Sequence, residues 1–186
     1  MTTIPNNLQD AKDLLTKEGF KLGKTWYHGT SSELVASIKE HGLKRSGDKA
    51  MKQAAKSTMA TIGNNYTESI DPVFVTQSKE LAYYWAEQTV RERSVRFEGE
   101  ENPVVIEIKL PEDRLSKVRP DVGAASLLMV KEGEHYMAYL AGLYQENEAG
   151  VLDIDLRKAD RLDYLNKLGM AYIDADIEMK YLEVLV

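Results

Sequence analysis

The chain has 186 residues, no cysteine, and a formal net charge of −6 from 24 Lys and Arg against 30 Asp and Glu. This length indicates one domain, residues 1–186, with room for a hydrophobic core. The missing cysteines exclude a disulfide framework, a thiol nucleophile and cysteine-ligated zinc or iron–sulfur sites. The acidic balance disfavours broad affinity for nucleic acid or anionic membranes. No apolar run is long enough to span a membrane, and the first residues lack the pattern of a signal peptide, so we expect a cytoplasmic protein.

The N-terminal part is predicted to contain two helices separated by a short strand. Apolar residues at helical spacing predict the first helix over residues 7–19, and a strand follows over residues 24–27. Thr30 and Glu33 have the spacing of a capping box, which predicts a second helix that ends at Gly42.

Residues 44–71 show little periodicity and are predicted to form a long loop. The start of this loop is basic, because five cations stand against a single acid, Asp48. Such a run is most often a solvated surface, and it is also the place where this acidic chain would contact a polyanion. The five cations are Lys44, Arg45, Lys49, Lys52 and Lys56.

The rest of the chain mixes short strands and helices. Strands are predicted over residues 72–76, 104–110 and 181–186, the second of these by the clearest alternation in the sequence. A helix capped by Ser78 lies between the first two strands, and further helices are predicted around residues 137–144 and 162–168. Because the elements lack regular βαβ alternation, we predict an α+β fold.

Several common catalytic motifs are missing from the sequence. It has no Walker loop, no GxGxxG after a strand, no HExxH and no GxSxG. Asp174, Asp176 and Glu178 alternate like the start of a calcium loop but lack its glycine and its distal glutamate. We therefore predict no metal site.

One constellation stands out: a strand that runs into a helix through Trp26-Tyr27-His28-Gly29-Thr30, followed by a second strand and capped helix over residues 73–84. In order and spacing this arrangement resembles the ADP-ribosyltransferase superfamily, in particular its His-Tyr-Glu branch, which includes diphtheria toxin and the poly(ADP-ribose) polymerases. The resemblance covers residues 24–110 and the last strand. It implies a split β-sandwich of two small sheets flanked by helices, with residues 44–71 as a loop over the cleft and residues 120–168 as a helical insertion.

The resemblance also implies a cleft that holds NAD. His28 would bond a ribose hydroxyl, the main chain of Gly29 would meet the nicotinamide carboxamide, and Tyr84 would stack on the nicotinamide ring. Phe74 stands where the branch has its signature tyrosine, so the ring is kept and the hydroxyl is lost. The implied cofactor-binding residues are His28, Gly29, Thr30, Phe74, Thr76, Ser78 and Tyr84, with Ser78 alternatively only a helix cap.

A catalytic carboxylate is the remaining requirement of this superfamily, where it binds the nicotinamide ribose and stabilises the oxocarbenium-like state. Glu178 lies just before the final strand, and Glu183 lies within it, followed by three apolar residues. We favour Glu183 slightly. If neither residue reaches the cleft, the resemblance implies binding of NAD or ADP-ribose without catalysis.

The function implied is therefore mono-ADP-ribosyl transfer from NAD, without a metal, to a macromolecular acceptor. A protein acceptor is favoured slightly over DNA or RNA, which the basic run at residues 44–56 would contact. One alternative is a non-catalytic NAD or ADP-ribose binding module. Another is an NAD-dependent RNA 2′-phosphotransferase, which needs paired arginines on a phosphate; Arg91, Arg93 and Arg96 are the candidates.

Overall fold

Two three-stranded antiparallel sheets and a set of helices make up a mixed α+β fold in the computed structural model, which describes residues 3–63 and 70–185. The first sheet has the strand order β3-β5-β8 and the second β4-β7-β6, while β1 and β2 form a two-residue hairpin. The strands are β1 Leu15–Thr16, β2 Gly19–Phe20, β3 Thr25–Ser31, β4 Val73–Val75, β5 Pro103–Lys109, β6 Val118–Pro120, β7 Ala171–Ile173 and β8 Leu182–Leu185. The α-helices are α1 Ala11–Leu14, α2 Val35–His41, α3 Lys49–Thr61, α4 Lys79–Ser94, α5 Glu112–Leu115, α6 Ala125–Leu128, α7 Lys131–Glu146 and α8 Arg161–Asn166.

The first sheet forms where the sequence alternates most clearly. In β5 the even-numbered residues face the second sheet, and Ile106 and Ile108 are fully buried there. His28 of β3 lies opposite Ile106, which in turn lies opposite Val184 of β8. The predicted strands around residues 104–110 and at the C-terminus are thus confirmed, with Val186 outside the described residues.

The two sheets share one hydrophobic core and are joined at their edges. Trp26 and Ile106 of the first sheet pack with Val75 and Ile173 of the second. Where β3 meets the end of β4, the N–H of Tyr27 donates to the carbonyl of Thr76 at 2.7 Å, and the Thr76 N–H donates back at 2.9 Å. This pair of bonds sets the relative position of the two sheets.

Helix α4 packs against the other face of the first sheet. As predicted, Ser78 caps this helix, accepting from the N–H of Leu81. The approach of α4 to β3 is so close that a Cβ on Gly29 would lie 2.0 Å from the carbonyl oxygen of Ala82. Glycine is therefore required at position 29 by helix packing.

A second hydrophobic core lies among the helices. Tyr136, Leu140 and Tyr144 of α7 are buried against Leu81 and Tyr84 of α4. Residues 120–168, expected to be a helical insertion, contain α6, α7 and α8, and these helices contribute much of this core. The segment is therefore an integral part of the packing.

Three predictions of local structure are wrong. Thr30 caps no helix, because β3 continues through it, and the hydroxyl of Ser31 accepts from the N–H of Glu33 instead. Residues 7–19 form a 3₁₀ turn, the four-residue α1 and strand β1 instead of one helix, because Asp10 turns away to bond the start of α4. Within residues 44–71, expected to be a loop, α3 forms a 13-residue helix. It was missed because none of its side chains is buried, so it carries no apolar stripe that marks a core-facing helix.

No helix in the described ranges combines the length and apolar character that crossing a membrane requires.

Candidate functional site

A cleft lies beside the Tyr27–Thr76 bridge, between β3, β4 and α4. It consists of two adjoining cavities of about 410 Å³ and about 760 Å³, each of a size typical for small-molecule sites. The residues that border both cavities, and so mark the junction between them, are His28, Gly29, Pro72, Phe74, Thr89 and Glu92.

The smaller cavity, here called the cationic half, has three of the described lysine and arginine residues in its wall, together with the acids Asp48, Asp71 and Glu92. Lys44 pairs with Asp176 at 3.3 Å, and Lys52 pairs with Asp71 at 3.1 Å. The third is Arg93, which is described next.

Arg93 is 4% exposed and lies between two carboxylates. It donates to Asp48, the residue that caps α3, and to Glu101 at 2.7 Å. These bonds raise the pKa of Arg93 and hold the pKa of Glu101 below its usual value. The clamp ties the start of α3 to α4 and so positions one wall of the cationic half.

The larger cavity, here called the aromatic half, has a different character. Its walls include Trp85, Phe74 and Tyr172, with Met170 and Leu127 as further apolar surface. Two acids, Asp121 and Glu92, also border it, and among its described lining residues there is no lysine or arginine.

His28, the predicted ribose-binding residue, lies at the junction. Its Nδ1 is 2.8 Å from the carbonyl oxygen of Phe74. Since a carbonyl only accepts, Nδ1 carries the proton, and in the neutral ring Nε2 is left as an acceptor. Burial lowers the pKa of His28, outweighing the bond to Phe74, and favours this neutral form. Nε2 has no hydrogen-bond partner in the described part of the chain.

Gly29 presents main-chain groups to the same junction. The N–H and C=O of Tyr27 point away from β5, because they bond Thr76. Strand geometry alternates, so the N–H and C=O of Gly29 point to that same free edge. The position suits the predicted contact with a carboxamide, although the absent side chain is explained by α4 on the opposite face and not by a ligand.

The structure places the remaining predicted binding residues in three different settings. Phe74 borders both halves and is 49% exposed. Thr30 borders the cationic half and Thr76 the aromatic half, both with buried side chains. Ser78 is fully buried, caps α4 and donates to Asp10, so it acts as a helix cap away from the cleft.

Tyr84, expected to stack on the nicotinamide ring, is not brought to the cleft. It is 8% exposed and its ring stacks on Tyr139 at 4.8 Å inside the helical core. The next residue, Trp85, borders the aromatic half in its place. Tyr83, Tyr84 and Trp85 are consecutive in the sequence, and successive side chains around a helix point in directions about 100° apart. The sequence alone therefore left open which of the three rings would face the cleft.

Neither predicted catalytic glutamate borders the cleft. Glu183 projects from β8 next to Glu107, where it lies 3.3 Å from the ammonium of Lys109 on an exposed surface. Glu178 is also exposed and bonds Arg114 at 3.0 Å and Lys180 at 2.5 Å. Both carboxylates are thus engaged in surface ion pairs outside both halves.

Four of the described acids border the cleft: Asp48 and Asp71 pair with Arg93 and Lys52, and the other two, Glu92 and Asp121, were not singled out from the sequence. Glu92 follows Trp85 and Thr89 on one face of α4 and borders both halves. Asp121 borders the aromatic half, and burial raises its pKa more than the neighbouring N–H groups lower it. Glu92 could have been predicted, because it lies two helical turns after Trp85 on the same face of α4. No sequence pattern around Asp121 predicts that it borders a cleft.

The five cations of the predicted basic run fall into two groups, three that form ion pairs and two that are exposed on α3. Lys44, Arg45 and Lys52 are engaged with Asp176, Asp174 and Asp71. Lys49 and Lys56 are exposed on α3, which forms part of the cleft wall. The three candidate arginines do not form a pair on one site, because Arg93 is clamped while Arg91 and Arg96 are exposed.

Among the described residues there is no cluster of three or more His, Asp or Glu side chains arranged to hold a metal ion.

Comparisons with protein-family models, curated proteins and solved structures found no match to this chain.

Proposed function

We propose that the cleft binds NAD and that the protein transfers ADP-ribose from NAD to a macromolecular acceptor. The observation that carries this proposal is His28 at the junction of the two halves, with Nδ1 bonded to Phe74 and Nε2 left as an acceptor. An acceptor nitrogen in a fixed tautomer is suited to a ribose hydroxyl.

The shape and the polarity of the cleft support a dinucleotide. One half has ion-paired lysine and arginine side chains in its wall, whose remaining N–H groups can donate to phosphate, while the other is aromatic and suits a ring. The free N–H and C=O of Gly29 lie between them and match the donor and acceptor of a carboxamide. Together these features offer partners for the pyrophosphate, for the nicotinamide ring and for its carboxamide.

Transfer requires that the bond between C1′ of the ribose and the pyridinium nitrogen breaks. Nicotinamide leaves with the bonding electron pair, the acceptor nucleophile forms a new bond to C1′, and its proton passes to solvent. A carboxylate near C1′ stabilises the positive charge that develops on the sugar. We assign this role to Glu92, which borders both halves together with His28.

Binding of NAD or ADP-ribose without transfer is a second candidate function. The observation that favours it is the location of Glu178 and Glu183 in surface ion pairs outside the cleft. In that case Glu92 would line the cleft without a catalytic role.

One set of measurements separates these functions. Calorimetry measures the binding of NAD, and release of nicotinamide measures cleavage, for the wild type, His28→Asn, Glu92→Gln and Glu183→Gln. Transfer activity predicts release that falls at least about tenfold in Glu92→Gln and is unchanged in Glu183→Gln. Binding with no release in any variant would support the second candidate. No binding to the wild type would overturn both.

We propose a protein as the acceptor, because a net charge of −6 disfavours broad contact with nucleic acid. The test is incubation of the protein with labelled NAD and cell lysate, followed by protease or nuclease digestion. Label that is released only by the nuclease would overturn this part of the proposal and would direct attention to Lys49 and Lys56 on α3.

A further inference from the structure

We propose that Asp121 makes the aromatic half selective for a positively charged ring, so that the cleft binds oxidised NAD in preference to NADH. This inference rests on the proposed function and adds to it the orientation of the dinucleotide and the residue that sets the preference.

Asp121 is held in place by its main chain and by its side chain. It follows β6, and its N–H donates to the carbonyl of Met170 at 2.9 Å, next to the start of β7. One carboxylate oxygen accepts from the N–H of Ala124 at 3.2 Å. Asp121 thus caps the 3₁₀ turn Val122–Ala124, and in this fixed position it borders the aromatic half.

No cation balances Asp121 in the described part of the chain. The carboxylate is partly buried beside apolar wall, and it forms no ion pair with a described lysine, arginine or histidine. Partial burial without a counter-charge is unfavourable for a carboxylate. A cationic group bound in the aromatic half would remove this penalty, and a neutral group of the same shape would not.

The aromatic walls favour the same class of ligand. Trp85, Phe74 and Tyr172 border the half, and their ring faces attract a cation that is flat or has an apolar body. Glu92 adds a second negative charge at the junction. An aromatic cation therefore fits this cavity better than a phosphate or a neutral polar group.

The cationic half completes the orientation. Lys44, Lys52 and Arg93 in its wall are each paired with a carboxylate, and their remaining N–H groups can donate to the pyrophosphate. With the pyridinium in the aromatic half, the ribose that joins the two parts lies at the junction, beside His28 and Glu92. This is the position at which Nε2 of His28 can accept from a ribose hydroxyl.

The test compares three ligands, oxidised NAD, NADH and ADP-ribose, by calorimetry with the wild type and with Asp121→Asn. The reduced nicotinamide ring of NADH is uncharged, and ADP-ribose has no nicotinamide ring. The asparagine keeps an oxygen for the bond from Ala124 and removes only the charge. Glu183→Gln is the control, because it removes one negative charge outside the cleft and so shows the effect of changing the net charge of the protein alone.

We expect the wild type and Glu183→Gln to bind NAD roughly tenfold more tightly than NADH. In Asp121→Asn this ratio should fall at least about threefold, because the aromatic walls and Glu92 keep part of the preference, while affinity for ADP-ribose changes less than about twofold. Equal affinity of the wild type for NAD and NADH, or an equal loss for all three ligands in Asp121→Asn, would overturn the inference and leave the proposed function standing. Failure of all three ligands to bind the wild type would overturn the proposed function itself.

Discussion

The Nδ1 of His28 lies 2.8 Å from the carbonyl oxygen of Phe74, across the gap between the first and the second sheet. This bond joins two strands, β3 and β4, that belong to different sheets. It also decides the chemistry of the imidazole, because a proton held at Nδ1 leaves Nε2 as an acceptor at the junction of the two halves. One side chain thus contributes to the fold and to the candidate site.

Substitution of His28 separates these two contributions. In His28→Asn the side-chain N–H₂ can replace the Nδ1 donor to Phe74, while the acceptor at Nε2 is lost. We expect His28→Asn to keep its thermal stability and to bind NAD at least about tenfold more weakly, the effect of one hydrogen bond of about 1.4 kcal/mol. His28→Ala should lose both stability and binding. Unchanged NAD affinity in His28→Asn would contradict the role of Nε2.

The stability of the protein should depend on the protonation of His28. Its pKa in the folded protein is lowered from 6.5 by burial, so as the pH falls through 6.5 the unfolded chain takes up this proton first. The contribution of neutral His28 is therefore fully present above pH 6.5 and is lost between pH 6.5 and the lower folded pKa. Urea unfolding at several pH values should show this loss in the wild type.

The matched control for this pH effect is His28→Asn, which cannot titrate at this position. Asp121 and Glu80 have raised pKa values, mainly through burial, and act in the opposite direction in both proteins. The difference between wild type and variant therefore isolates the histidine. A difference that stays constant from pH 8 to pH 5 would show that the pKa of His28 is not lowered.

Gly29 should tolerate no side chain. A Cβ there would lie 2.0 Å from the carbonyl oxygen of Ala82 and 2.6 Å from the backbone nitrogen of Ala86. We expect Gly29→Ala to lower the free energy of unfolding by at least about 2 kcal/mol, because α4 must move off the sheet. Gly142→Ala is the control: no atom lies within 4 Å of its Cβ, and alanine inside helix α7 should stabilise the protein by about 0.5–1 kcal/mol.

Arg93 should be essential for the position of α3. Replacing it with methionine leaves Asp48 and Glu101 without their buried cation, which we expect to lower the free energy of unfolding by about 3 kcal/mol. Hydrogen exchange across α3 should accelerate more than exchange in β5. The Arg91 side chain is exposed, and among the described residues it bonds only Gln88, at 3.4 Å, so Arg91→Met should change stability by less than about 0.5 kcal/mol. Equal effects of the two substitutions would contradict the clamp.

Trp85 and Tyr84 should differ in their effect on binding. Trp85 borders the aromatic half, so Trp85→Leu should weaken NAD binding roughly tenfold. Tyr84→Phe keeps the ring that stacks on Tyr139 and should leave NAD affinity unchanged. Loss of binding in Tyr84→Phe with none in Trp85→Leu would return the ring-binding role to Tyr84.

The strands and the start of α4 were predictable because their signals are local. Alternation identified β5, and the position of Ser78 before an apolar face identified the start of α4. His28 and Gly29 could also be singled out as a His-Gly step at the end of the strand predicted over residues 24–27, although β3 in fact continues to Ser31 and contains both residues. The structure places both residues at the junction of the cleft.

The features that were missed depend on contacts between distant segments. Helix α3 buries no side chain and is tied down by Arg93, 45 residues beyond Asp48. Glu183 has the expected alternating pattern, but whether its face of β8 meets a cleft or solvent depends on the strand order of the first sheet. Asp121 reaches the cleft only because its main chain bonds Met170.

The central claim, that His28 binds NAD through Nε2, is tested most directly by nitrogen NMR of the protein labelled in its three histidines. Without ligand, we expect Nδ1 of His28 to carry the proton and Nε2 to have the chemical shift of a bare nitrogen. Adding NAD should shift the Nε2 signal of His28 and leave His41 and His135 unchanged. A spectrum in which NAD moves none of the three signals, or moves all three alike, would contradict the claim.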